Sequence, residues 1–261
     1  MSRATERDLR TTAALVKAAL AESGHEDHLS AGDTPAMAVL HARGTKDVLE
    51  AGRALCGSKE PKLRALGADI LGQLGSPDRT FPEECCDILL AVLKDEKNTG
   101  VLVSTLFALG HLANRRAEPH VIALRTHKEE AVRHAVGFAL YMSESPSAVQ
   151  ALLELLDDPS GVVRDWAATS LGETVAVDGP RIREALLRHA SDEDEITRAE
   201  CLHGLARRRD ERVVPFLIKE LSARHDDPTA FIDAAKDYLG LDAEDSVGMK
   251  ALISALKSRQ R

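Results

Sequence analysis

The stretch 157–173, DDPSGVVRDWAATSLGE, decides the fold. It opens with Asp, Pro, Ser and Gly, residue types that interrupt helices and favour turns. Small and apolar residues at helical spacing follow, running through Arg164 to Leu171 and Gly172. The stretch therefore predicts a short turn followed by an amphipathic helix.

The same pattern, an Arg followed seven positions later by Leu and usually then by Gly, recurs along the chain. Its copies begin at Arg64, Arg133, Arg164 and Arg198, and in weaker form at Leu102 and Ile232. Successive Leu positions are 31 to 38 residues apart. Since one helical hairpin cannot bury its apolar stripe alone, the repeats predict an all-α solenoid (superhelix) of about six stacked helix-turn-helix units.

A second helical pattern lies between these copies, and several of its segments carry a proline where a first helical turn would lie. The segments are 45–56, 82–94, 118–126, 146–156, 180–190 and 212–222, with Pro82, Pro146 and Pro180 at the starts. We expect N-terminal capping helices within 1–43, a repeat array over 44–240, and a C-terminal capping helix within 241–261, all in one continuous domain.

Composition limits the functional classes. The chain has 261 residues, of which 44% are hydrophobic and only 3% aromatic, and its formal net charge is −8. An acidic chain disfavours non-specific nucleic-acid binding, which needs clustered Lys and Arg. The sequence has no apolar run approaching the ~18 residues of a membrane span. Four cysteines without a C-x-x-C indicate reduced thiols, so we predict a cytoplasmic protein that binds neither nucleic acid nor membrane.

Residues 157–173 resemble the second helix of a HEAT-like repeat of the phycobilisome-lyase type. The stretches 129–140, EEAVRHAVGFAL, and 195–206, EITRAECLHGLA, are weaker copies, and the resemblance covers about 45–240. It implies an α-solenoid but does not select a function, because such repeats occur in adaptors, inhibitors, lyase subunits and hydroxylases.

The sequence lacks the metal and catalytic motifs of the HEAT-like enzymes that it resembles. Deoxyhypusine hydroxylase, a HEAT-like protein, holds iron through repeated His-Glu pairs, but the matching place here has Ala135 after His134. The one His-Glu pair of the sequence is His25-Glu26. We therefore expect no metal and no cofactor. Without a recognisable catalytic motif we lean away from an enzyme, although a bilin-lyase-like enzyme or enzyme subunit stays an alternative.

The recurring Arg residues invite an interpretation as an anion-binding ladder. We favour instead a structural role, in which each Arg bridges acidic residues in the turns of its own or the neighbouring repeat. The acidic residues in suitable turns are Asp157, Asp158, Asp192 and Glu193.

The second helices line the concave groove in proteins that this chain resembles. Positions one, five and nine residues after the repeating Arg share the helix side expected to face that groove. With Trp166 at its rim, the predicted binding groove comprises Val103, Phe107, His111, His134, Phe138, Met142, Asp165, Trp166, Glu173 and His203. A phase error of one residue would instead bury Phe107 and Phe138 between repeats.

Acidic residues flank the apolar centre of this groove, namely Asp69, Asp165, Glu173, Glu200, Asp233 and Asp237. We therefore predict a protein-interaction module, an adaptor or scaffold, that binds a basic and apolar peptide or protein. The alternatives are the bilin-lyase-like enzyme and an immunity or inhibitor protein that masks a toxin or enzyme. The sequence does not determine the oligomeric state.

Overall fold

The structure, a computed structural model, describes residues 8–22 and 35–259. Within these residues it contains helices and turns and no β-strand, which confirms the predicted all-α class. None of the helices in this part of the chain has the length and apolar character needed to cross a lipid bilayer. His25 and Glu26 lie outside the described residues.

The helices fall into two compact units that divide between Ala139 and Leu140. Unit 1 contains α1 (Thr12–Glu22), α2 (Pro35–Arg43), α3 (Lys46–Cys56), α4 (Pro61–Gly72), α5 (Pro82–Asp95), α6 (Thr99–Leu112), α7 (Glu118–Ile122) and α8 (Glu130–Ala139). Unit 2 contains α9 (Pro146–Leu156), α10 (Gly161–Thr169), α11 (Pro180–Arg188), α12 (Glu195–Arg207), α13 (Val214–Ser222), α14 (Thr229–Leu239) and α15 (Met249–Arg259). A π-helical turn, Ser170–Thr174, follows α10.

Helix starts follow the local signals of the sequence. Pro82, Pro146 and Pro180 are the first residues of α5, α9 and α11, where a missing N–H leaves no hydrogen bond unmade. The Ser145 hydroxyl accepts from the N–H of Ala148 and so caps α9. The predicted helix starts at Pro82, Pro146 and Pro180 are therefore confirmed, whereas the segment predicted over 118–126 is helical only at Glu118–Ile122. The bounds of the repeat array and the role of α1, α2 and α15 as caps stay predictions.

The Gly after the repeating Leu allows close helix packing. In unit 1 the second helices α4, α6 and α8 pack on one another in turn. A Cβ at Gly72 would lie 2.6 Å from the Cα of Ala108, and one at Gly110 would lie 2.9 Å from the Cα of Ala139. A larger residue would push the next second helix away, so Gly sets the distance between neighbouring repeats.

The repeating Arg joins its own turn to the next repeat. Arg164 donates to the main-chain carbonyl of Asp158 at 3.0 Å and to both carboxylate oxygens of Asp192 at 3.0 and 2.6 Å. Arg64 likewise donates to carbonyls of its own turn and to the Glu96 carboxylate. The expected bridging role of Arg164 is therefore confirmed, and the hydrogen bonds of its guanidinium hold two neighbouring repeats together.

Candidate functional site

Four rings from α6 and α8 meet on the predicted groove side of unit 1. The ring centroids of Phe107 and Phe138 are 4.7 Å apart. His134 lies 6.0 Å from Phe107, and His111 lies 5.1 Å from Phe138, both with edge-to-face geometry. We call Phe107, His111, His134 and Phe138 the aromatic cluster. Such pairs gain stability beyond simple area burial.

The cluster is neither fully buried nor fully exposed. Phe107 and Phe138 are half-buried, as is Val103 one helical turn before Phe107. The Phe138 ring covers Gly110, where a Cβ would lie 2.8 Å from the ring. The two Phe rings thus bridge the α6–α8 interface and keep part of their surface open to solvent. They are neither fully exposed in the groove nor fully buried between repeats, the two alternatives that the sequence left open.

The two histidines of the cluster add little charge near neutral pH. Burial lowers the pKa of His134, and burial together with the nearby charge of Arg79 lowers the pKa of His111. Both imidazoles are therefore uncharged at pH 7. The cluster offers a partner a largely apolar, aromatic surface.

A cavity of about 600 Å³ opens between α4 and α6 of unit 1, and two of its lining residues, Ala65 and Asp69, stand one and five residues after the repeating Arg64. Its walls include Ala65, Leu66 and Val101, with Asp69 and Ser104 as polar groups and Lys62 also in the lining. Asp69 is half-buried, and this burial raises its pKa to about 6 despite a hydrogen bond with Ser104. The cavity therefore holds an acidic group between apolar walls.

Unit 2 presents a different set of side chains at corresponding repeat positions. His203 on α12 pairs through Nε2 with the Asp237 carboxylate at 2.8 Å. Its Nδ1 lies 3.8 Å from Oε1 of Glu173. Glu173, Glu200 and His203 have donor atoms that all lie within 4.8 Å of one another. We call these three residues with Asp237 the charged cluster.

The local backbone explains this convergence. The π-helical turn that contains Glu173 approaches α12 through two glycines, Gly172 and Gly204. A Cβ at Gly204 would lie 2.7 Å from the Cα of Gly172, and one at Gly172 would lie 2.6 Å from the Glu200 carbonyl oxygen. Because no side chain separates the backbones, Glu173 comes next to Glu200 and His203. Single-turn π segments are frequent at functional sites.

Like charges crowd Glu200. Burial and the negative charges of Glu173 and Asp165 raise its pKa to about 7. Its Oε2 atom has essentially no exposed surface and no hydrogen-bond partner. Burial also raises the pKa of Asp165, with a smaller contribution from Asp194.

The remaining predicted groove residues, Met142 and Trp166, belong to unit 2. Trp166 is half-buried and packs edge-to-face on Tyr141, with ring centroids 5.8 Å apart. Met142 is 69% exposed, and its main-chain N–H donates to the Thr174 hydroxyl at 3.3 Å. Neither residue belongs to the aromatic cluster, which lies in unit 1.

The sequence pattern placed most of these residues on one helix side, but it missed the cavity between α4 and α6 and the approach of Glu200 to His203. The cavity residues Lys62 and Ser104 fall outside the three groove positions. Glu200 was placed among flanking acids rather than with His203, because its repeat position corresponds to that of Trp166. Gly172 and Gly204 were the available signals of close approach in the sequence.

Comparisons with known proteins agree with this architecture. The model of HEAT repeats matches residues 86–172 and 155–240. Protein YibA of Escherichia coli strain K12 is 27% identical over 206 residues, covering 75% of this chain and 71% of that protein. The X-ray structure of Escherichia coli YibA has a TM-score of 0.67 at 23% identity, with 98% of each chain covered.

A more distant structure is the archaeal HEAT-like repeats protein from Thermococcus onnurineus NA1. Its TM-score is 0.55 at 14% identity, and the match covers 96% of this chain and 99% of that chain. At such identities the two solved structures show the fold alone.

Proposed function

Because this chain belongs to the HEAT-repeat family, whose stacked hairpins build extended binding surfaces, we propose that it binds a protein or peptide partner through the second helices of unit 1. The aromatic cluster carries this proposal. Its two Phe rings are held in place by contact with each other and with Gly110, yet remain partly exposed. Aromatic side chains that are fixed before binding lose little entropy when a partner covers them.

The cavity next to this cluster supports a partner that is basic as well as apolar. Helix α6 supplies both features, since Val101 and Ser104 line the cavity and Phe107 follows one turn later. The apolar walls suit the methylene stem of a Lys or Arg, and the Asp69 carboxylate suits its charged end. A peptide with a basic residue beside an apolar one would therefore occupy cavity and cluster together.

Among the residues that line the cavity, Lys62 is the one that carries a positive charge. Its side chain is exposed, so it can turn into solvent when a partner enters. An immunity or inhibitor protein would be one form of this binder. No described residue favours the bilin-lyase alternative over it.

The proposal is tested by selecting displayed random peptides on the full chain and measuring the affinity of enriched peptides by fluorescence anisotropy. We expect enriched sequences to combine Lys or Arg with apolar residues. Phe138→Ala should weaken binding by about 30- to 1,000-fold, the range typical of aromatic anchors. The matched control is Phe216→Ala, which removes a half-buried Phe from first helix α13 and should leave affinity unchanged.

Asp69→Asn separates the basic from the apolar contribution. Wild-type affinity should fall as the pH drops through about 6, where the Asp69 carboxylate becomes protonated. The Asn variant should bind more weakly and lose this pH dependence. Peptides that bind Phe138→Ala and wild type equally well would refute the assigned surface.

A further inference from the structure

We infer that Glu173, Glu200 and His203 of unit 2 form a binding site for one divalent transition-metal ion, best matched by Zn²⁺. The inference goes beyond the proposed function, which concerns unit 1. It also departs from the sequence expectation of no metal, because that expectation considered only His-Glu pairs adjacent in the chain. Here the ligands come from a π-helical turn and from the following second helix.

The donor atoms are close to coordination distance before any ion is bound. Each residue offers one donor atom, and the three atoms lie within 4.8 Å of one another. Tetrahedral zinc with bonds of about 2.1 Å separates its ligand atoms by about 3.4 Å. The remaining difference is at most about 1.4 Å, a shift that side-chain rotation can supply, most easily at the exposed Glu173.

His203 is oriented as a ligand would be. Its Nε2 lies 2.8 Å from the Asp237 carboxylate, which fixes a proton on that nitrogen. Its Nδ1 lies 3.8 Å from Oε1 of Glu173 and is the ring nitrogen left to coordinate a metal. A carboxylate on one ring nitrogen with a metal on the other is the usual arrangement around metal-binding histidines.

Glu200 supplies an independent observation. Its Oε2 is buried without a hydrogen-bond donor, in the field of the negative charges of Glu173 and Asp165. A coordinated cation would satisfy this oxygen and offset the repulsion. The guanidinium of Arg207 donates to the main-chain carbonyls of Gly172 and Glu173.

The ligand set selects the class of ion. One imidazole with two carboxylates suits Zn²⁺ and related transition ions, whereas Ca²⁺ and Mg²⁺ prefer six or more oxygen ligands. Three protein ligands leave a fourth position for water. The site therefore has the coordination number of an open zinc site.

The test is calorimetric titration of Zn²⁺ into the tag-free, EDTA-treated full chain, with elemental analysis after dialysis. We expect one Zn²⁺ per chain, and His203→Ala and Glu173→Gln should each weaken its affinity at least about tenfold. Glu173→Gln is nearly isosteric and exposed, so it keeps the proposal testable if His203→Ala does not fold. Circular dichroism checks the fold of each variant.

The double variant His25→Ala/His28→Ala is the control, since these histidines belong to the stretch HEDH at 25–28, which also contains metal-binding residue types. It should leave zinc affinity unchanged. The inference is overturned by loss of zinc in this control with retention in His203→Ala, by equal affinity in all variants, or by no binding up to about 1 mM. Peptide binding to unit 1, measured with EDTA present, is unaffected by any of these outcomes.

Discussion

The aromatic cluster and the charged cluster occupy the same repeat positions but have opposite chemistry. In unit 1 Phe138, five residues after the repeating Arg, contacts His111, nine residues after the corresponding Leu of the preceding repeat. In unit 2 His203 and Glu173 stand in the same two positions and lie 3.8 Å apart. The repeat therefore fixes which positions face each other, and the side chains there decide what the surface can bind.

The two clusters also differ in how burial acts on their titratable groups. In unit 1 burial keeps His111 and His134 uncharged at neutral pH, which preserves an apolar surface. In unit 2 burial and neighbouring carboxylates raise the pKa of Glu200 to about 7 without removing the surrounding charges. One cluster is suited to apolar partners and the other to cations.

The largest effects are expected where the two units are alike. Leu109 in unit 1 and Leu171 in unit 2 are the repeating Leu of their copies of the pattern, and both are buried. Leu109→Ala and Leu171→Ala should each lower the free energy of unfolding by about 2–5 kcal/mol, measured by urea denaturation. If only one of the two substitutions left the free energy of unfolding nearly unchanged, the two Leu residues would not be equivalent, and the two units could not be compared position by position.

The next effect concerns the Arg that joins neighbouring repeats. The Arg164 and Asp192 side chains are only 8% and 6% exposed, whereas Arg64 in unit 1 is 19% exposed. Arg164→Met leaves the Asp192 carboxylate without its main cation and should cost about 3 kcal/mol of unfolding free energy. Arg64→Met should cost less, because the guanidinium that it removes is the more exposed of the two, while the carboxylates left behind, Glu96 and Asp192, are about equally buried at 7% and 6% exposed. Equal losses in urea denaturation would argue against burial as the deciding factor.

Phe138→Ala sharpens the comparison at the clusters themselves. Truncating a fully buried Phe costs about 3–5 kcal/mol, so a half-buried ring should cost about 1–3 kcal/mol. His203→Ala, at the matching position of unit 2, should cost less in EDTA, because it removes mainly one part-buried hydrogen bond to Asp237, which contributes about 1 kcal/mol. Thermal unfolding followed by circular dichroism compares the two. A larger loss in His203→Ala would indicate that the charged cluster is the more important structural element.

The sequence predicted the fold because turn residues and helical periodicity are local signals. Pro82 and Pro146 begin helices where the pattern placed them, and Asp192 was correctly expected to pair with Arg164. The positions relative to the repeating Arg also placed Phe107 and Phe138 on one side of their helices. These predictions need only the order of residues along a helix.

Partial burial and convergence between repeats were beyond such local signals. Whether Phe138 is exposed depends on how closely α6 and α8 approach, which Gly110 sets. Likewise, Glu200 joins Glu173 because Gly172 and Gly204 bring two backbones together. A pattern of positions does not contain these interhelical distances, so the binding role of both clusters stays a prediction.

The smallest effect isolates the titration of Glu200. The folded chain holds the proton of this carboxyl up to about pH 7, whereas the ordinary pKa is 4.5. Between these values the folded state binds more protons than the unfolded state, so the stability contributed by protonation falls as the pH rises. Glu200→Gln removes this pH-dependent fall in stability, because Gln does not ionise. In EDTA the variant should match wild type near pH 4 and exceed it by about 1 kcal/mol at pH 8, allowing for partial solvent screening.

The control for this prediction has the opposite sign. Burial alone would raise the pKa of Asp192, but hydrogen bonds from Arg164 and His189 lower it to about 2. Its contribution is therefore present above pH 3.8 and is lost as the pH falls toward 2. Asp192→Asn should accordingly be less stable than wild type at pH 8, with a smaller difference at pH 3. Urea denaturation could instead give Glu200→Gln the same difference in stability from wild type at every pH. Repulsion within the charged cluster would then not control the pKa of Glu200, and the two clusters would differ in shape alone.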